Sequence, residues 1–345
     1  TVVCLTKRPQ KIPCKTLGYV LGNWAHYKFN GIIIDGGVSA SYSACTQKNE
    51  VVYIEVSHVK VITGKNKVTT DKVLIKCSLK ICSTQKILFK HVQLSREIVF
   101  SSRKVSVTFL DVIFHESHIG SNKSEKESNI VINIMNSFIQ GKSISHRQNS
   151  SYDNKGSFIC FQYTYIFKLF ISGTIVNDSS FVISCVHFVV VFQNVNFSNH
   201  MTQSNIHILP TDIYQKQHIV VRNIKMTSIM ASSYNQDTCT VFLLINSLTI
   251  TVKLEQSMFK DIGSTMKVKN IEHKETFDGL NFRIFIDRVK FYQSTVFFNH
   301  RAIEMNFTKY KHGIFMNADI IIANSIFMNH KANSGAALFV SSETY

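Results

Sequence analysis

The acidic residues are the first candidates for chemistry, because hydrolysis of a glycosidic bond needs two carboxyl groups facing one bond at a defined separation. Asp111 lies at a turn-like position where asparagine is common, so a turn role is favoured for it over catalysis. Carboxylates from distant segments can still converge in the fold, so a catalytic site formed in this way remains an alternative. The aspartates are dispersed along the chain: Asp35, Asp71, Asp111, Asp153, Asp178, Asp212, Asp237, Asp261, Asp278, Asp287 and Asp319.

His115 and His118 resemble a pair of metal ligands. On a strand or turn, the i, i+3 spacing does not put both rings on one face, as i, i+4 spacing does on a helix. We therefore interpret this segment as a surface corner. The sequence contains no glycine-rich nucleotide motif, Walker loop, Gly-x-Ser-x-Gly elbow or His-Glu-x-x-His motif. We predict no cofactor, no metal and no catalytic residue.

A basic segment is the most informative surface feature. Asp71 is the only acid among seven lysines there, and the chain as a whole has 38 Lys and Arg against 22 Asp and Glu. Strand alternation turns Val73 and Ile75 inward and Lys76 and Lys80 outward. Stacked strands would then form a cationic strip that binds acidic glycans. An equally favoured interpretation is that these lysines form a solvated edge that prevents aggregation. Nucleic acid suits the charge, but no nucleic-acid motif occurs. The predicted polyanion-binding residues are Lys65, Lys67, Lys72, Lys76, Lys80, Lys86 and Lys90.

Cysteines and glycosylation sequons indicate an oxidising, extracellular compartment. The chain has eight cysteines and no Cys-x-x-Cys pair. We expect a secreted protein whose leader has been removed, since the chain starts at Thr1. The apolar run 181–192 is too short to span a bilayer and is predicted to be a buried strand, so we expect no membrane span. The five predicted glycosylation sites, of which the first two are favoured, are Asn122, Asn149, Asn177, Asn196 and Asn306.

The elements that would position these residues are mostly short strands. Leu17, Val20, Leu21 and Trp24 have the i, i+3, i+4, i+7 spacing of a short amphipathic helix. Almost everything after residue 30 consists of short β-branched and aromatic segments separated by polar ones. This pattern is typical of an all-β protein.

A repeated pattern connects these strands: a polar residue, often asparagine, is followed three positions later by phenylalanine or another apolar residue. It begins at His58, His91, Asp111, Asn136, Asn194, Asn223, Gln256, Arg288 and Asn324. The 58-residue interval after Asn136 predicts one more copy near 166–171. Such a period predicts a solenoid with stacked asparagines at its turns. A β-sandwich is the alternative. The predicted inward residues are Phe114, Ile139, Phe197, Met226, Phe259, Phe291 and Phe327, with polar loops at 116–128, 145–158, 199–217 and 263–280.

Three segments carry a family resemblance: residues 13–17 (PCKTL), 31–37 (GIIIDGG) and 324–340 (NSIFMNHKANSGAALFV). The chain resembles pectin-lyase-like right-handed parallel β-helices, in particular the secreted or cell-surface repeat proteins of invertebrates. The resemblance implies an N-terminal cap with a short helix (1–50) and a β-helix of about ten coils (51–345). It also implies that Cys4 and Cys14 are bonded to each other or to close partners. The hydrolase signatures Asn-Thr-Asp, Asp-Asp and Gly-His-Gly are absent from the sequence.

These observations favour a non-catalytic extracellular structural or adhesion glycoprotein that binds acidic glycans or neighbouring subunits in a matrix or filament. The alternative is a polysaccharide lyase or glycoside hydrolase that acts on acidic polysaccharides in a groove. Because a bare terminal coil would expose apolar groups and unpaired backbone, we expect further coils or another subunit at the C-terminal end.

Overall fold

The described part of the chain, in a computed structural model, is mostly β-strand, and the chain divides into two compact units, Thr1–Ile175 and Val176–Tyr345. We call these the N-terminal and C-terminal units. The described residues are 2–5, 11–14, 16–23, 31–34, 45, 51–54, 61–65, 72–82, 86–121, 128–141, 158–199, 204–209, 217–228, 241–246, 249–269, 280–293, 301–307, 316–330 and 337–342.

The elements follow one another in a regular order. The N-terminal unit contains α1 (Leu17–Asn23), β1 (Val2–Leu5), β2 (Lys11–Cys14), β3 (Gly31–Ile34), β4 (Val51–Ile54), β5 (Val61–Gly64), β6 (Val73–Ile75), β7 (Ser78–Ile81), β8 (Lys86–Lys90), β9 (Val92–Leu94), β10 (Glu97–Phe100), β11 (Lys104–Leu110), β12 (Ile113–His115), β13 (His118–Ser121), β14 (Asn129–Met135), β15 (Phe138–Gln140) and β16 (Ile159–Ser172). β17 (Ile175–Asn177) contains the boundary. The C-terminal unit contains β18 (Phe181–Gln193), β19 (Asn196–Asn199), β20 (Ser204–Ile208), β21 (Gln217–Arg222), β22 (Lys225–Ser228), β23 (Val241–Ile245), β24 (Ile250–Glu255), β25 (Met258–Lys260), β26 (Ser264–Lys269), β27 (Leu280–Asp287), β28 (Lys290–Tyr292), β29 (Ile303–Phe307), β30 (Met316–Ala323), β31 (Ile326–Met328) and β32 (Leu338–Ser342).

The helix α1 forms where the amphipathic spacing predicts it. The Thr16 hydroxyl accepts a hydrogen bond from the backbone N–H of Tyr19 at 3.2 Å, which satisfies a donor at the start of the helix. Leu17 and Val20 are fully buried, and Leu21 is nearly so. Trp24 lies outside the described residues. Beside the helix, β1 pairs antiparallel with β2 and with β3, and these are the antiparallel pairs of the described strands.

In the N-terminal unit the remaining strands form three parallel ladders. The first ladder runs through β3, β5, β8, β11, β14 and the second half of β16. The second runs through β6, β9, β12 and β15. The third runs through β4, β7, β10, β13 and the start of β16. The chain thus visits the first, second and third ladder in turn, once per coil.

The C-terminal unit repeats this order. Its first ladder runs through the second half of β18, then β21, β24, β27 and β30. Its second runs through β19, β22, β25, β28 and β31. Its third runs through the start of β18, then β20, β23, β26, β29 and β32. The pairing in all six ladders is parallel, which is consistent with a β-helix-like solenoid and not with an antiparallel sandwich. Whether a cap ends at residue 50 stays a prediction.

The corner between the first and second ladders explains the sequence repeat. Its residue has a left-handed backbone in every described coil from His91 onward, with φ between 49° and 57°. Asparagine, aspartate and glycine adopt this conformation most readily. The copy that we predicted near 166–171 is confirmed, because β16 ends there at a corner formed by Gly173 (φ 57°). His58 lies outside the described residues. The corner residues are His91, Asp111, Asn136, Gly173, Asn194, Asn223, Gln256, Arg288 and Asn324.

The position after this corner carries either an aliphatic residue or a hydroxyl. Ser257 Oγ accepts the backbone N–H of Ile224 in the neighbouring coil at 3.1 Å and donates to the Glu255 carbonyl at 2.7 Å. Ser137 and Ser325 make the same two contacts in their own coils. Each hydroxyl therefore satisfies a backbone group between coils that would otherwise be buried without a partner.

The predicted inward positions of the second ladder are confirmed. Six of the seven are at most 2% exposed: Phe114, Ile139, Phe197, Met226, Phe259 and Phe291. Phe327, in the last coil, is half-buried. In the C-terminal unit the rings of Phe259, Phe291 and Phe327 stack with centroids 5.9 and 4.5 Å apart, as parallel register requires.

Three predicted loops are partly wrong. The strands β13, β20 and β26 lie within 116–128, 199–217 and 263–280. These strands contain Ser, Asn, His and Lys, and they are held by pairing with neighbouring coils rather than by an apolar pattern of their own. Most of 145–158 lies outside the described residues. The run 181–192 is a strand as predicted, and no helix of the described residues is long and apolar enough to cross a membrane.

Candidate functional site

Three polar side chains from successive coils of the N-terminal unit meet beside the first corner. Lys72 precedes β6, His91 lies between β8 and β9, and Asp111 lies between β11 and β12. Lys72 Nζ donates to Asp111 Oδ1 at 2.5 Å and to the Asp111 carbonyl at 2.8 Å. His91 Nδ1 lies 2.6 Å from Asp111 Oδ2. We call this group the Lys72–Asp111–His91 cluster.

Stacking explains why the cluster forms. His91 and Asp111 occupy the same corner position in adjacent coils, so their left-handed backbones direct their side chains to the same place. Gly64 in the preceding coil allows the corner to approach closely. A Cβ added at Gly64 would lie 2.2 Å from the carbonyl oxygen of His91. The local fold therefore requires glycine at that position.

The cluster holds its carboxyl group in the ionised form. The side chain of Lys72 is 3% exposed and that of Asp111 is 28% exposed. Burial tends to raise the pKa of Asp111, but hydrogen bonds from Lys72 and His91, with the charge of Lys72, lower it below its ordinary value. Because both carboxylate oxygens already accept short hydrogen bonds, Asp111 is unsuited to act as a proton donor or a nucleophile. The cluster is suited to tying three coils together.

Other carboxylates are also engaged between neighbouring coils of the C-terminal unit. Arg222 Nη2 lies 2.7 Å from Glu255 Oε2, and Arg283 Nε lies 3.2 Å from Asp319 Oδ2. In both pairs the two residues are direct neighbours in the first ladder. Ion pairs of this kind stabilise the register of the coils and neutralise groups that catalysis would need to use.

Two further carboxyl groups have lowered pKa values for the same reason. The pKa of Asp287 is lowered by hydrogen bonds from Asn324, at 3.0 Å, and from Arg288, at 2.7 Å. For Glu304, burial raises the pKa, but hydrogen bonds from Lys267 and Asn306 outweigh it. Within the described residues, no group of three or more His, Cys, Asp and Glu side chains is arranged to hold a metal ion.

The corner that we predicted at His115 and His118 is confirmed. Glu116 has a left-handed backbone with φ 53°, and the chain changes direction there. His115 ends β12 in the second ladder, whereas His118 begins β13 in the third. The two histidines therefore belong to different ladders.

The basic segment does not form one strip. Its predicted alternation is confirmed, since Val73 and Ile75 are buried and Lys76 is exposed. However, β6 and β7 belong to different ladders, so the outward side chains of the two strands lie on different faces. Lys72 is buried in the Lys72–Asp111–His91 cluster, and Lys80 Nζ lies 5.1 Å from the ring centroid of Tyr53. Whether the segment binds a polyanion stays a prediction.

The remaining lysines of the segment are also divided. Lys86 and Lys90 lie in β8 of the first ladder. Lys65 follows β5 and is exposed, while Lys67 lies outside the described residues. The division of the seven lysines could not be read from the sequence, because alternation along a strand does not show where the chain turns a corner.

A disulfide joins Cys45 and Cys77, with Cα atoms 5.7 Å apart. It links a residue in the long segment after β3 to the corner between β6 and β7. Sequence reasoning gave Cys77 no partner, because Cys45 lies in a polar segment without periodicity. Cys77 therefore does not pair with Cys82, which lies five residues further along the chain. Cys4 and Cys14 lie in β1 and β2, but their side chains are outside the described residues, so their bond stays a prediction.

The predicted glycosylation sites differ in accessibility. Asn196 in β19 is exposed. Asn306 in β29 donates from Nδ2 to Glu304 Oε1 at 2.9 Å, and its Oδ1 accepts a hydrogen bond from Ser341 at 2.7 Å. Asn177 in β17 is half-buried. Asn122 and Asn149 lie outside the described residues.

Comparison with known proteins does not identify the chain: no family model, no curated protein and no solved structure matches it. The geometry must therefore indicate the function. The sequence pattern places His91 and Asp111 in one column, but it does not predict the contact of Asp111 with Lys72. The sequence carries no local signal for that contact, because Lys72 lies 39 residues before Asp111.

Proposed function

We propose that the chain is a non-catalytic extracellular structural or adhesion glycoprotein, folded as a right-handed parallel β-helix of the pectin-lyase type, that binds acidic glycans. The observation that carries this proposal is that charged side chains of the protein pair with one another between coils. Asp111, Glu255, Asp319 and Glu304 each pair with a cation from another coil. Groups committed to such pairs stabilise a stack of coils and are not available to a substrate.

The extracellular part of the proposal is supported by covalent chemistry. The Cys45–Cys77 disulfide is of the kind that persists in oxidising compartments. The exposed Asn196 begins an Asn-Phe-Ser sequon, which is a site that glycosylation can reach. A net charge of +16 at pH 7 suits acidic glycans, which are the common polyanions outside the cell.

The alternative function is that of a polysaccharide lyase or glycoside hydrolase. Its best candidate site is the Lys72–Asp111–His91 cluster, which combines a possible base with a carboxylate. The closed ion pair and the lowered pKa of Asp111 disfavour it, because a lyase needs a base that reaches its substrate and a hydrolase needs two carboxyl groups.

Association with neighbouring subunits is also part of the proposal. In the last described coil, Leu338 and Val340 pair with Ile303 and Met305, which are fully buried. Leu338 and Val340 are nevertheless 38% and 48% exposed. Inward-facing apolar residues with this exposure support docking of a coil from a second copy of the chain. Light scattering of the wild type and of Val340→Lys tests this: dimers or larger species that dissociate in the variant are expected, and monomers in both would contradict it.

A polysaccharide screen tests the glycan-binding function. The purified chain is incubated with pectic, alginate-type and sulfated polysaccharides, and both binding and new chain ends are measured. We expect retention on an immobilised acidic polysaccharide without cleavage. Cleavage that is lost in Asp111→Asn would overturn the proposal in favour of the enzyme.

A further inference from the structure

The positive charge is concentrated in one of the two units. Residues 1–175 contain 23 Lys and Arg against 10 Asp and Glu, whereas residues 176–345 contain 15 against 12. The excess charge of the chain therefore belongs mainly to the N-terminal unit. Any site for a polyanion is best sought there.

The first ladder of the N-terminal unit gathers lysines on its outer face. Lys86 and Lys90 lie in β8, Lys104 begins β11, and Lys168 lies in β16. Lys86, Lys104 and Lys168 are exposed, and Lys90 is half-buried. We call these four residues the lysine face. Lys104 and Lys168 lie outside the basic segment that the sequence singled out.

Strand register fixes how these lysines are spaced. Lys86 pairs with Ser106, Ser106 with Val131, and Val131 with Lys168. Three strand intervals therefore separate Lys86 from Lys168, which is about 14 Å. Lys90 lies four residues beyond Lys86 on the same strand, about 13 Å away. The lysine face is thus a flat array whose long side chains can reach along an extended chain.

No acidic residue lies in the strands that form this face. The sequences of β8, β11, β14 and the second half of β16 contain neither aspartate nor glutamate. The same ladder of the C-terminal unit is built differently: there Arg222 pairs with Glu255, and Arg283 pairs with Asp319. In the C-terminal unit two outward arginines are thus neutralised within the ladder, whereas the lysine face has no acidic residue on its own strands and attracts counterions from solution. A polyanion that displaces those counterions gains their release entropy.

We propose that the lysine face is the binding surface for a linear sulfated polysaccharide. The ligand class rests on the proposed extracellular function, since the Cys45–Cys77 disulfide indicates a compartment where sulfated polysaccharides are the abundant linear polyanions. Among the described positions of these strands the exposed aromatic residues are Tyr165 and Phe170, both on β16, whereas single-stranded nucleic acid is held by aromatic residues stacked along its whole path. The flat, evenly charged face binds a flexible polyanion through charge rather than through a shaped pocket.

The experiment uses heparin as the probe and two matched triple variants of the full chain. The test variant carries Lys86→Gln, Lys104→Gln and Lys168→Gln. The control carries Lys225→Gln, Lys253→Gln and Lys290→Gln, which are exposed strand lysines of the C-terminal unit. Both variants lose three charges, and circular dichroism is used to check that each retains the fold.

The measurement is the dissociation constant at several NaCl concentrations. We expect the slope of log Kd against log[NaCl] to fall by about two to three in the test variant and by less than about one in the control, at roughly 0.7–0.9 per lost contact. Equal losses in both variants would overturn the lysine face but leave the proposed function standing. A wild type that does not bind heparin would overturn the proposed function as well. Duplex DNA that displaces heparin at an equal phosphate concentration would overturn the ligand class.

Discussion

The contact between Lys72 and Asp111 allows a quantitative test of how the coils are held together. We predict that Asp111→Asn destabilises the N-terminal unit, although the amide keeps the size and the left-handed tolerance of the side chain. The substitution removes a charge while the Lys72 ammonium stays buried, with 3% of its side chain exposed. Loss of one partner from a buried pair costs about 3–5 kcal/mol. Because 28% of the Asp111 side chain is exposed, water can reach the site, and we expect about 2–3 kcal/mol.

The partner substitution completes a double-mutant cycle. Lys72→Met leaves a partly exposed carboxylate that still contacts His91 at 2.6 Å, so we expect a loss of about 1–2 kcal/mol. The double variant has neither charge and should lose about 1–2 kcal/mol as well, since no unpaired charge remains. The coupling energy between the two positions then has a magnitude of about 2–3 kcal/mol.

The effect of Asp111 depends on pH in a defined direction. The pKa of Asp111 is lower in the folded protein than its ordinary value of 3.8, so the folded state binds this proton less readily than the unfolded state. Its contribution is therefore complete above the unfolded pKa and is lost as the pH falls through the folded pKa. The stability difference between the wild type and Asp111→Asn should therefore shrink as the pH falls below about 4.

The assay is urea unfolding followed by fluorescence of Trp24, the single tryptophan, which belongs to the N-terminal unit. A lower midpoint with an unchanged slope would show lost stability without loss of cooperativity. Glu255→Gln is the control, because it alters a more exposed pair in the C-terminal unit and should not move this transition. A coupling energy below about 0.5 kcal/mol would refute our account of the cluster.

Three further predictions concern packing, corners and glycans. Phe114→Ala should lower the free energy of unfolding by about 3–5 kcal/mol, because this ring is fully buried. The exposed Phe170 is the control, and Phe170→Ala should lower it by less than about 1 kcal/mol. Thermal unfolding of both variants measures the difference, and equal losses would contradict the inward position of Phe114. Ser257→Ala should lower the free energy of unfolding by about 1–3 kcal/mol, because it leaves a backbone N–H of the neighbouring coil without an acceptor. An unchanged midpoint of urea unfolding would show that this hydroxyl is dispensable. Glycopeptide mass spectrometry of the secreted chain should find a glycan at Asn196 more often than at Asn306, whose amide is held on both sides, and the reverse order would contradict this.

The corners illustrate what local sequence can determine. Only residues that tolerate a left-handed backbone suit that position, and the strand on either side alternates apolar and polar residues. Both constraints act within about ten residues, so they can be read directly from the chain. Even the glycine-containing copy at Gly173 was predictable, because the interval from Asn136 to Asn194 is too long for one coil.

The third ladder shows where this reasoning fails. The strand β20 has the sequence SNIHI, which is too polar to stand out from a loop. It is a strand because β18 and β23 lie on either side of it and supply hydrogen-bonding partners. Pairing energy from neighbouring coils is absent from any local pattern.

By itself, the sequence determined the all-β class, the short N-terminal helix, the positions of the corners and the inward side chains, because each depends on backbone preference and on periods of two residues. Tertiary structure alone decided that Lys72 meets Asp111, that Cys45 meets Cys77 and that the lysines divide among the faces. The spacing of successive corners varies from 20 residues between His91 and Asp111 to 37 between Asn136 and Gly173. With coils of such unequal length, only the stacked backbone fixes which side chains become neighbours.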